Sequence, residues 1–364
     1  MKYTTPVIKL NQPDDNYKFQ PLPKPSGEYP YHLAIGKVVP EVLDNTMTFH
    51  MLGDTGGTNR PEFQQYVVAE MVKQYQQGQF IYHLGDLVYH YGEAEQYEPQ
   101  FFLPYNNYTG PVFAIAGNHD SDVNPGSAQP YKSLDAFIKV FCDTEPREIA
   151  FNLTGTRKSM VQPNVYWTLD TPLATIIGLH SNVPKYGIIT PEQQEWFKEE
   201  LKKADAGKML IICLHHAPYS ADINHGSSLP MIELLENAFT ATGVRPDIVF
   251  SGHVHNYQRF NKQYSNGASV PFIVAGAGGF DELHAVADMT DERFTPSSAA
   301  FEGVTLENFC DTSHGFLRIS IIKANKQLML NGEYFTLDAE SGFKAVLKDS
   351  FNVKKTMSTA KASF

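Results

Sequence analysis

The sequence is short of cysteine, of long apolar runs and of positive charge. Its cysteines, Cys142, Cys213 and Cys310, lie far apart and none belongs to a CxxC pair. This excludes the disulfide framework that holds small secreted domains together, although a single bridge is compatible with the count. No stretch approaches the ~20 apolar residues of a membrane span. We therefore expect a soluble protein without a membrane partner.

The charge balance of the chain is acidic. It has 40 Asp and Glu residues against 29 Lys and Arg residues, which gives a net charge of −11. Binding to a nucleic-acid backbone needs clustered Lys and Arg, so no nucleic-acid surface is evident. A small phosphorylated substrate stays compatible with this charge, because bound metal ions can supply positive charge locally. The oligomeric state is left open.

No targeting segment is visible at the start of the sequence. Residues 1–6, MKYTTP, are not followed by the apolar stretch of a secretory signal peptide. The default expectation is therefore a cytoplasmic protein. An exported protein whose signal peptide had been removed would have the same sequence.

Three regions follow one another along the chain. Residues 1–43 are rich in Pro and Tyr, which predicts an extended arm and not a separate domain. From 44 to 335, apolar strand-like runs alternate with helical segments, the pattern of an α/β protein. A helix, for example, is predicted from Pro61 to about Gln77. We expect one catalytic domain over 44–335 and a C-terminal tail over 336–364.

Polar residues with metal-binding side chains stand just after several of the apolar runs. They are Asp54, Asp86, Tyr89, Asn118, His216, His253 and His255. Oxygen donors suit hard cations such as Mn, and imidazole suits Zn and Fe. A bridging carboxylate can hold two ions about 3.5–4 Å apart, the separation found in two-metal phosphoesterases. The mixture of donors therefore predicts a site for two metal ions.

Each of these residues has a purely structural interpretation when it is taken alone. Asp after Gly is common in turns, and a Tyr beside apolar residues usually packs in a core. His253 and His255 share one face of a strand by alternation, which fits packing as well as metal binding. If all seven residues had only structural roles, their occurrence in this order after apolar runs would require seven independent coincidences. We therefore favour the metal site.

Five motifs make the sequence resemble the calcineurin-like metallophosphoesterases, and within them the purple acid phosphatases. They are GDxG at 53–56, GDxxY at 85–89, GNHD at 117–120, HxP at 216–218 and GHxH at 252–255. Tyr89 is the diagnostic position. Many relatives lack this Tyr and carry a His where this chain has Gly56. The resemblance spans about residues 46–330.

The resemblance implies a four-layer αββα sandwich, in which helices flank two central mixed sheets, and a two-metal site. Metal one would take Asp54, Asp86, Tyr89 and His255. Metal two would take Asp86, Asn118, His216 and His253, so that Asp86 bridges the pair. In the family the Tyr binds Fe(III) as a phenolate, and the second metal is Zn, Mn or Fe(II).

Three further histidines belong to the motifs or to their surroundings. His119 follows the Asn ligand, and His225 lies where the family places a substrate-contacting His. Either could bind phosphate or protonate the leaving group. His215 precedes His216, and adjacent residues of a strand point to opposite sides. The HxP spacing favours His216 as the ligand and leaves His215 a structural role.

The predicted reaction is the hydrolysis of phosphomonoesters by a metal-bound hydroxide, as in acid phosphatases, with His225, His119 and Asp86 as catalytic residues. A phosphodiesterase or a nucleotide hydrolase would use the same metals, since the metals contact the phosphate and not the rest of the ester. Loops near 56–61, 121–130 and 219–230 would decide between them. A protein that binds metal or phosphate without turnover is a third alternative.

Overall fold

The computed structural model describes residues 1–39, 42–76, 79–155 and 157–356. Its strands are β1 Ile8–Lys9, β2 His32–Ala34, β3 Thr46–Leu52, β4 Phe80–His83, β5 Val112–Ala114, β6 Trp167–Asp170, β7 Ala174–Leu179, β8 Met209–Leu214, β9 Ile248–Ser251, β10 Tyr257–Gln263, β11 Ser269–Ala275, β12 Phe294–Thr295, β13 Val304–Cys310, β14 His314–Ala324, β15 Gln327–Leu337 and β16 Val346–Thr356. Its α-helices are α1 Glu62–Gln74, α2 Ala94–Tyr97, α3 Asn118–Ser121, α4 Asp135–Phe141, α5 Pro191–Lys203 and α6 Leu229–Thr242. Other helical turns are Asn16–Lys18, Ile35–Lys37, Glu98–Phe102 and Ala299–Phe301.

Two mixed sheets form the middle of the described part of the chain. One has eight strands there, in the order β13-β10-β11-β9-β8-β7-β6-β2, and the other has six, in the order β16-β15-β14-β3-β4-β5. Strands β7, β8, β9 and β11 run parallel, as do β3, β4 and β5. Every residue of β7 and β8 is buried, as expected for parallel strands covered on both faces.

Aromatic side chains join the two sheets. Trp167 of β6 packs against Phe113 of β5 and Tyr82 of β4, with ring centroids 5.7 and 6.0 Å apart. Tyr257 of β10 stacks on Tyr334 of β15 at 3.9 Å. All five rings are fully buried. Such pairs contribute about 0.5–1.5 kcal/mol beyond the burial of their area, so they hold the sheets face to face.

Local sequence sets the ends of the outer helices. Thr190 caps α5 by accepting a hydrogen bond from the backbone N of Gln193, and Pro191 is its first residue. Ser228 caps α6 in the same way, and Gly243 ends it in a left-handed conformation with φ 69°. Helix α5 contacts α6, and α1 contacts β14. The sandwich of two mixed sheets flanked by helices confirms the predicted fold class.

No helix among the described residues combines the length and the apolar character that crossing a bilayer would require.

Segments from the first and last parts of the described chain take part in the sheets. Strand β2 pairs with β6 at one edge of the eight-stranded sheet, and β1 pairs with β12. Strand β15 crosses the boundary predicted at residue 335, and β16 pairs with it at the edge of the six-stranded sheet. The division into arm, catalytic domain and tail stays a prediction, and residues 357–364 of the tail lie outside the described residues. Helix α1 ends at Gln74, and Gln77 is also outside them.

His32 ties the first part of the chain to the eight-stranded sheet. Its Nδ1 lies 3.0 Å from Asp170 Oδ2, and its Nε2 lies 2.6 Å from Glu200 Oε2. These hydrogen bonds, to Asp170 first and then to Glu200, raise the pKa of His32 to about 9. Protonated His32 therefore bridges strand β2 to its neighbour β6 and to helix α5.

We expect His32→Gln to destabilise the protein at pH 6 and to have little effect at pH 10. The folded-state pKa lies above the ordinary value of 6.5, so this contribution is fully present below that value and is lost as the pH rises through about 9. The ring is 36% exposed, and solvent screening limits the loss to about 1 kcal/mol. Thermal unfolding at both pH values measures it, and equal losses at the two would contradict the prediction.

Candidate metal centre

The carboxyl ends of the central strands from both sheets carry the predicted ligands. Asp54, Asp86 and Asn118 follow β3, β4 and β5, whereas His216 and His253 follow β8 and β9. Ligand sites of layered α/β proteins form at this end of the strands. The side chains that follow β3, β4 and β5 meet those that follow β8 and β9 at this end.

Four donors of the predicted metal-one set are in mutual contact. The Tyr89 hydroxyl lies 3.1 Å from Asp86 Oδ2, 3.3 Å from Asp54 Oδ1 and 3.3 Å from His255 Nε2. His255 Nε2 lies 3.7 Å from Asp54 Oδ1, and all four side chains are buried. Oxygen and imidazole ligands bind metals at about 2.0–2.2 Å. Two ligand atoms on the same ion are therefore separated by distances like those between these four side chains.

The predicted metal-two donors are also close together, and His215 joins them. Asn118 Oδ1 lies 2.9 Å from His253 Nδ1 and 3.1 Å from His215 Nε2. His215 Nε2 lies 3.3 Å from Asp86 Oδ2. Among the described residues, Asp86, His215 and His253 form a group whose ligating atoms all lie within 4.8 Å. The ring of His216 lies 4.3 Å from that of His253, and its buried Nε2 has no hydrogen-bond partner.

Three of the predicted ligands have a left-handed backbone conformation. The φ angles of Asp54, Asp86 and His253 are 57°, 55° and 68°. Such a conformation costs roughly 1–3 kcal/mol at each non-glycine residue and is concentrated at functional sites. Crowding adds a second constraint, because a Cβ atom at Gly117 would overlap the Asp86 carboxylate. The strain and the crowding both lie where the predicted ligands converge.

Asp120 organises the loop that carries Asp86, and the sequence analysis gave it no role. Its Oδ2 accepts hydrogen bonds from the backbone N of Asp86 and of Gly117, both at 2.8 Å. Its Oδ1 accepts from the backbone N of Leu87 at 3.0 Å and of Val88 at 3.3 Å. The residue is fully buried. Its place in the GNHD motif was visible in the sequence, but three of its four partners lie in the GDxxY motif.

Gln100 holds the backbone of Tyr89 in the same way. Its Oε1 accepts from the Tyr89 N at 2.9 Å, and its Nε2 donates to the Tyr89 O at 2.7 Å. A Cβ atom at Gly56 would overlap Gln100 Oε1, so a His at that position would displace the support of Tyr89. No sequence motif contains Gln100, and sequence analysis missed it.

Burial sets the protonation of the donors. It holds the pKa well below its usual value at His216, His253 and His255, so these rings are neutral and keep a lone pair for a metal. Burial, and then Asp86, raises the pKa of Tyr89 well above its usual value. Burial opposes the ionisation of Asp86, yet His215 and His119 hold the pKa of Asp86 below its usual range.

The two predicted catalytic histidines stand on either side of the donors. The backbone N of His119 donates to Asp86 Oδ1 at 2.9 Å, and its ring lies 4.4 Å from the Tyr89 ring. The ring of His225 lies 4.2 Å from that of His253, and both catalytic candidates are partly exposed. Their catalytic roles stay predictions.

His284 is a further histidine at the centre, and the sequence contains no motif that would have identified it. Its ring stacks on His255 at 4.3 Å and lies 5.2 Å from the ring of His225. Its Nδ1 lies 3.5 Å from Asp222 Oδ1, and the backbone N of His225 donates to the same oxygen at 2.7 Å. Asp222 therefore connects two histidines beside the predicted ligands.

The residues present fit a pair of metal ions. Carboxylate, phenol and amide oxygens stand together with neutral imidazoles, a donor mixture that suits Fe, Zn and Mn. The buried Nε2 of His216 has no partner among the described residues, and a buried polar atom of this kind calls for an explanation. As a complete ligand set these residues stay a prediction.

The chain belongs to the calcineurin-like phosphoesterase family, whose family model matches residues 47–257. That region contains all five motifs of the sequence and all seven predicted metal ligands.

The chain is similar to several purple acid phosphatases of plants. It is 26% identical to the Fe(3+)-Zn(2+) purple acid phosphatase 12 of Arabidopsis thaliana over 310 residues, 76% of this chain and 58% of that protein. It is 26% identical to purple acid phosphatase 15 of the same plant over 55% of this chain and 35% of that protein. Purple acid phosphatase 1 of Ipomoea batatas is 31% identical over 52% of this chain and 40% of that protein. The matched regions thus cover less than two thirds of these relatives.

Two solved structures share the fold. GAP50, the anchor in the inner membrane complex of Plasmodium, superposes with a TM-score of 0.55 and 14% identity, covering 87% of this chain and 90% of that one. PhoD superposes with a TM-score of 0.54 and 15% identity, covering 92% of this chain and 72% of that one. At these identities the likeness concerns the fold alone.

Proposed function

We propose that this protein hydrolyses phosphomonoesters on a dinuclear metal site, as an acid-phosphatase-type metallophosphoesterase with a small phosphorylated substrate. The observation that carries the proposal is the contact of the Tyr89 hydroxyl with Asp54, Asp86 and His255. A buried tyrosine among two carboxylates and an imidazole is a ligand arrangement for a hard cation. The similarity to the Fe(3+)-Zn(2+) purple acid phosphatase 12 supports this class.

The proposed metal one is Fe(III), held by Asp54, Asp86, Tyr89 and His255. The proposed metal two is Zn, Mn or Fe(II), held by Asp86, Asn118, His216 and His253. When bound, such a pair lowers the pKa of a coordinated water, so that hydroxide is available near neutral pH, and neutralises charge on the phosphate.

The side chains of this chain then have separate tasks. Asp86 spans both halves of the site, because its Oδ2 contacts Tyr89 and His215. Its Oδ1 is held by the backbone N of His119, which fixes the carboxylate against rotation. Asn118 orients a phosphate oxygen, and His225 or His119 donates a proton to the leaving alkoxide. Both histidines are partly exposed, so a substrate can reach them.

The test compares a chromogenic phosphate monoester with the matching diester across acid to neutral pH, using protein with two bound metals. A higher kcat/KM for the monoester at acid pH is the expected result. A higher kcat/KM for the diester would replace the proposal by a phosphodiesterase or nucleotide hydrolase on the same site. No turnover of either ester would favour a protein that binds metal or phosphate without catalysis.

Tyr89→Phe tests the assignment of metal one. We expect the variant to lose the visible absorption of an Fe(III) phenolate and at least about tenfold in affinity for metal one, since even outer partners of a ligand contribute 10–100-fold. The matched control is Tyr97→Phe, which removes a buried hydroxyl that has no hydrogen-bond partner among the described residues. An absorption band that survives in Tyr89→Phe would refute the phenolate.

A further inference from the structure

His215 is a buried histidine at the candidate metal centre to which sequence analysis assigned only a structural role. Its side chain is fully buried and lies beside Gly85 and Gly252. A Cβ atom at either glycine would come within 2.7 or 3.2 Å of its Nδ1. The imidazole is therefore held in one place by the backbone around it, and its Nε2 points towards Asp86 and Asn118.

The hydrogen bond of Nδ1 determines what Nε2 can do. Nδ1 lies 2.8 Å from the carbonyl oxygen of Leu84, and a carbonyl oxygen can only accept, so Nδ1 carries the hydrogen. Without a metal ion, a second proton on Nε2 lets the ring donate to Asp86, whereas loss of that proton leaves a lone pair at Nε2. Nε2 faces Asn118 Oδ1 at 3.1 Å and Asp86 Oδ2 at 3.3 Å. A proton on Nε2 balances the buried carboxylate of Asp86, and a metal ion bound between Nε2, Asn118 Oδ1 and Asp86 Oδ2 would take the place of that proton.

The surroundings of His215 match those of a metal-ligating histidine. Such a residue usually donates its other ring N–H to a carbonyl or carboxylate, which fixes the tautomer. His215 does so through Leu84, whereas His216 has its Nδ1 2.6 Å from Ser181 Oγ. In both histidines Nδ1 contacts an oxygen atom outside the predicted metal site, and Nε2 remains available to bind a metal.

We infer that His215 Nε2 is a fifth protein ligand of metal two, beside Asp86, Asn118, His216 and His253. The inference rests on the dinuclear centre of the proposed function. It gives metal two three imidazoles instead of two. Imidazole suits Zn and Fe, whereas Mn favours oxygen donors, so the added ligand selects Zn or Fe(II) over Mn at this position.

His215→Gln separates a metal ligand from a hydrogen-bond donor. Gln can place an N–H near the former position of Nε2, so it retains a donor to Asp86 and removes the imidazole. The full chain is stripped of metal, given Fe(III) at metal one, and titrated with Zn(II) and with Mn(II). We expect His215→Gln to bind Zn(II) at metal two at least tenfold more weakly than wild type, with a reduced preference for Zn(II) over Mn(II), while the Fe(III) absorption is retained.

A Zn(II) affinity and selectivity equal to wild type in the Gln variant would overturn the inference. If His215→Gln does not fold, X-ray absorption at the zinc edge of the wild-type Fe–Zn protein replaces it. Three imidazoles around Zn support the inference, and two overturn it. These readouts do not require turnover. A wild type with three imidazoles on Zn that hydrolyses no phosphoester would therefore refute the proposed function and keep the inference.

Discussion

Asp86→Asn should reduce the kcat/KM for a phosphate monoester by about 10³-fold or more. Both oxygens of Asp86 are in use, since Oδ2 contacts Tyr89 and His215 and Oδ1 accepts from the backbone N of His119. The amide of Asn must either point its NH2 at the His119 N–H or put the NH2 in place of the oxygen that contacts Tyr89 and His215. A metal pair supplies several kcal/mol of transition-state stabilisation, and each ~1.4 kcal/mol is a factor of ten in rate.

Steady-state kinetics and metal content together measure this effect. The control is Asp205→Asn, in the turn between α5 and β8, where Asp205 is exposed and Oδ1 accepts from the Gly207 N at 2.7 Å. Asn keeps that hydrogen bond, so the control should behave as wild type. An Asp86→Asn protein with two bound metals and a kcat/KM near wild type would show that Asp86 does not bridge the metals.

Asp120→Asn should destabilise the protein by about 2–5 kcal/mol even without metal. Asp120 accepts hydrogen bonds from four buried backbone N–H groups, and Asn has only one oxygen to offer. At least one pair of donors then faces an NH2 group. Each buried donor without a partner costs about 1–3 kcal/mol. The loop that carries Asp86 should shift as a result, so activity should fall as well.

Urea unfolding of the metal-free protein gives the free energy of unfolding, and the same variant is assayed for hydrolysis. The control is Asp135→Asn at the start of α4, because Asp135 accepts a hydrogen bond from the backbone N of Lys132 at an exposed position. An Asp120→Asn protein as stable and as active as wild type would mean that the hydrogen bonds of Asp120 do not hold the loop.

The parts of the fold that sequence analysis missed have weak local patterns. Helix α6 has a Ser cap, an early Pro and a terminal Gly, but its apolar sequence obscures the amphipathic period that would identify a helix. Strand β16 is an edge strand in which most residues are at least partly exposed and the buried one is Asp349. Its alternation is therefore interrupted where a strand pattern would require an apolar residue.

The sequence contains signals for the predicted ligands but none for the residues that support them. The motif residues around Asp54, Asp86 and His253 are local, since each follows a strand and a glycine. Asp120 and Gln100 act on residues 34 and 11 positions away. Such partners have no spacing rule, because the packing of loops and not the order of residues brings them together.

The sequence by itself determined the family and the chemical types of the donor side chains. A short motif at a strand end, such as GDxG, contains both a predicted ligand and the glycine before it, which allows the backbone to turn sharply. The tertiary structure alone decided how the donors meet. It brings the ends of β3, β4 and β5 to those of β8 and β9, and it turns His215 towards Asp86 and Asn118. Ligation depends on distances of about 3 Å between atoms from different sheets, and only the packing of the two sheets sets those distances.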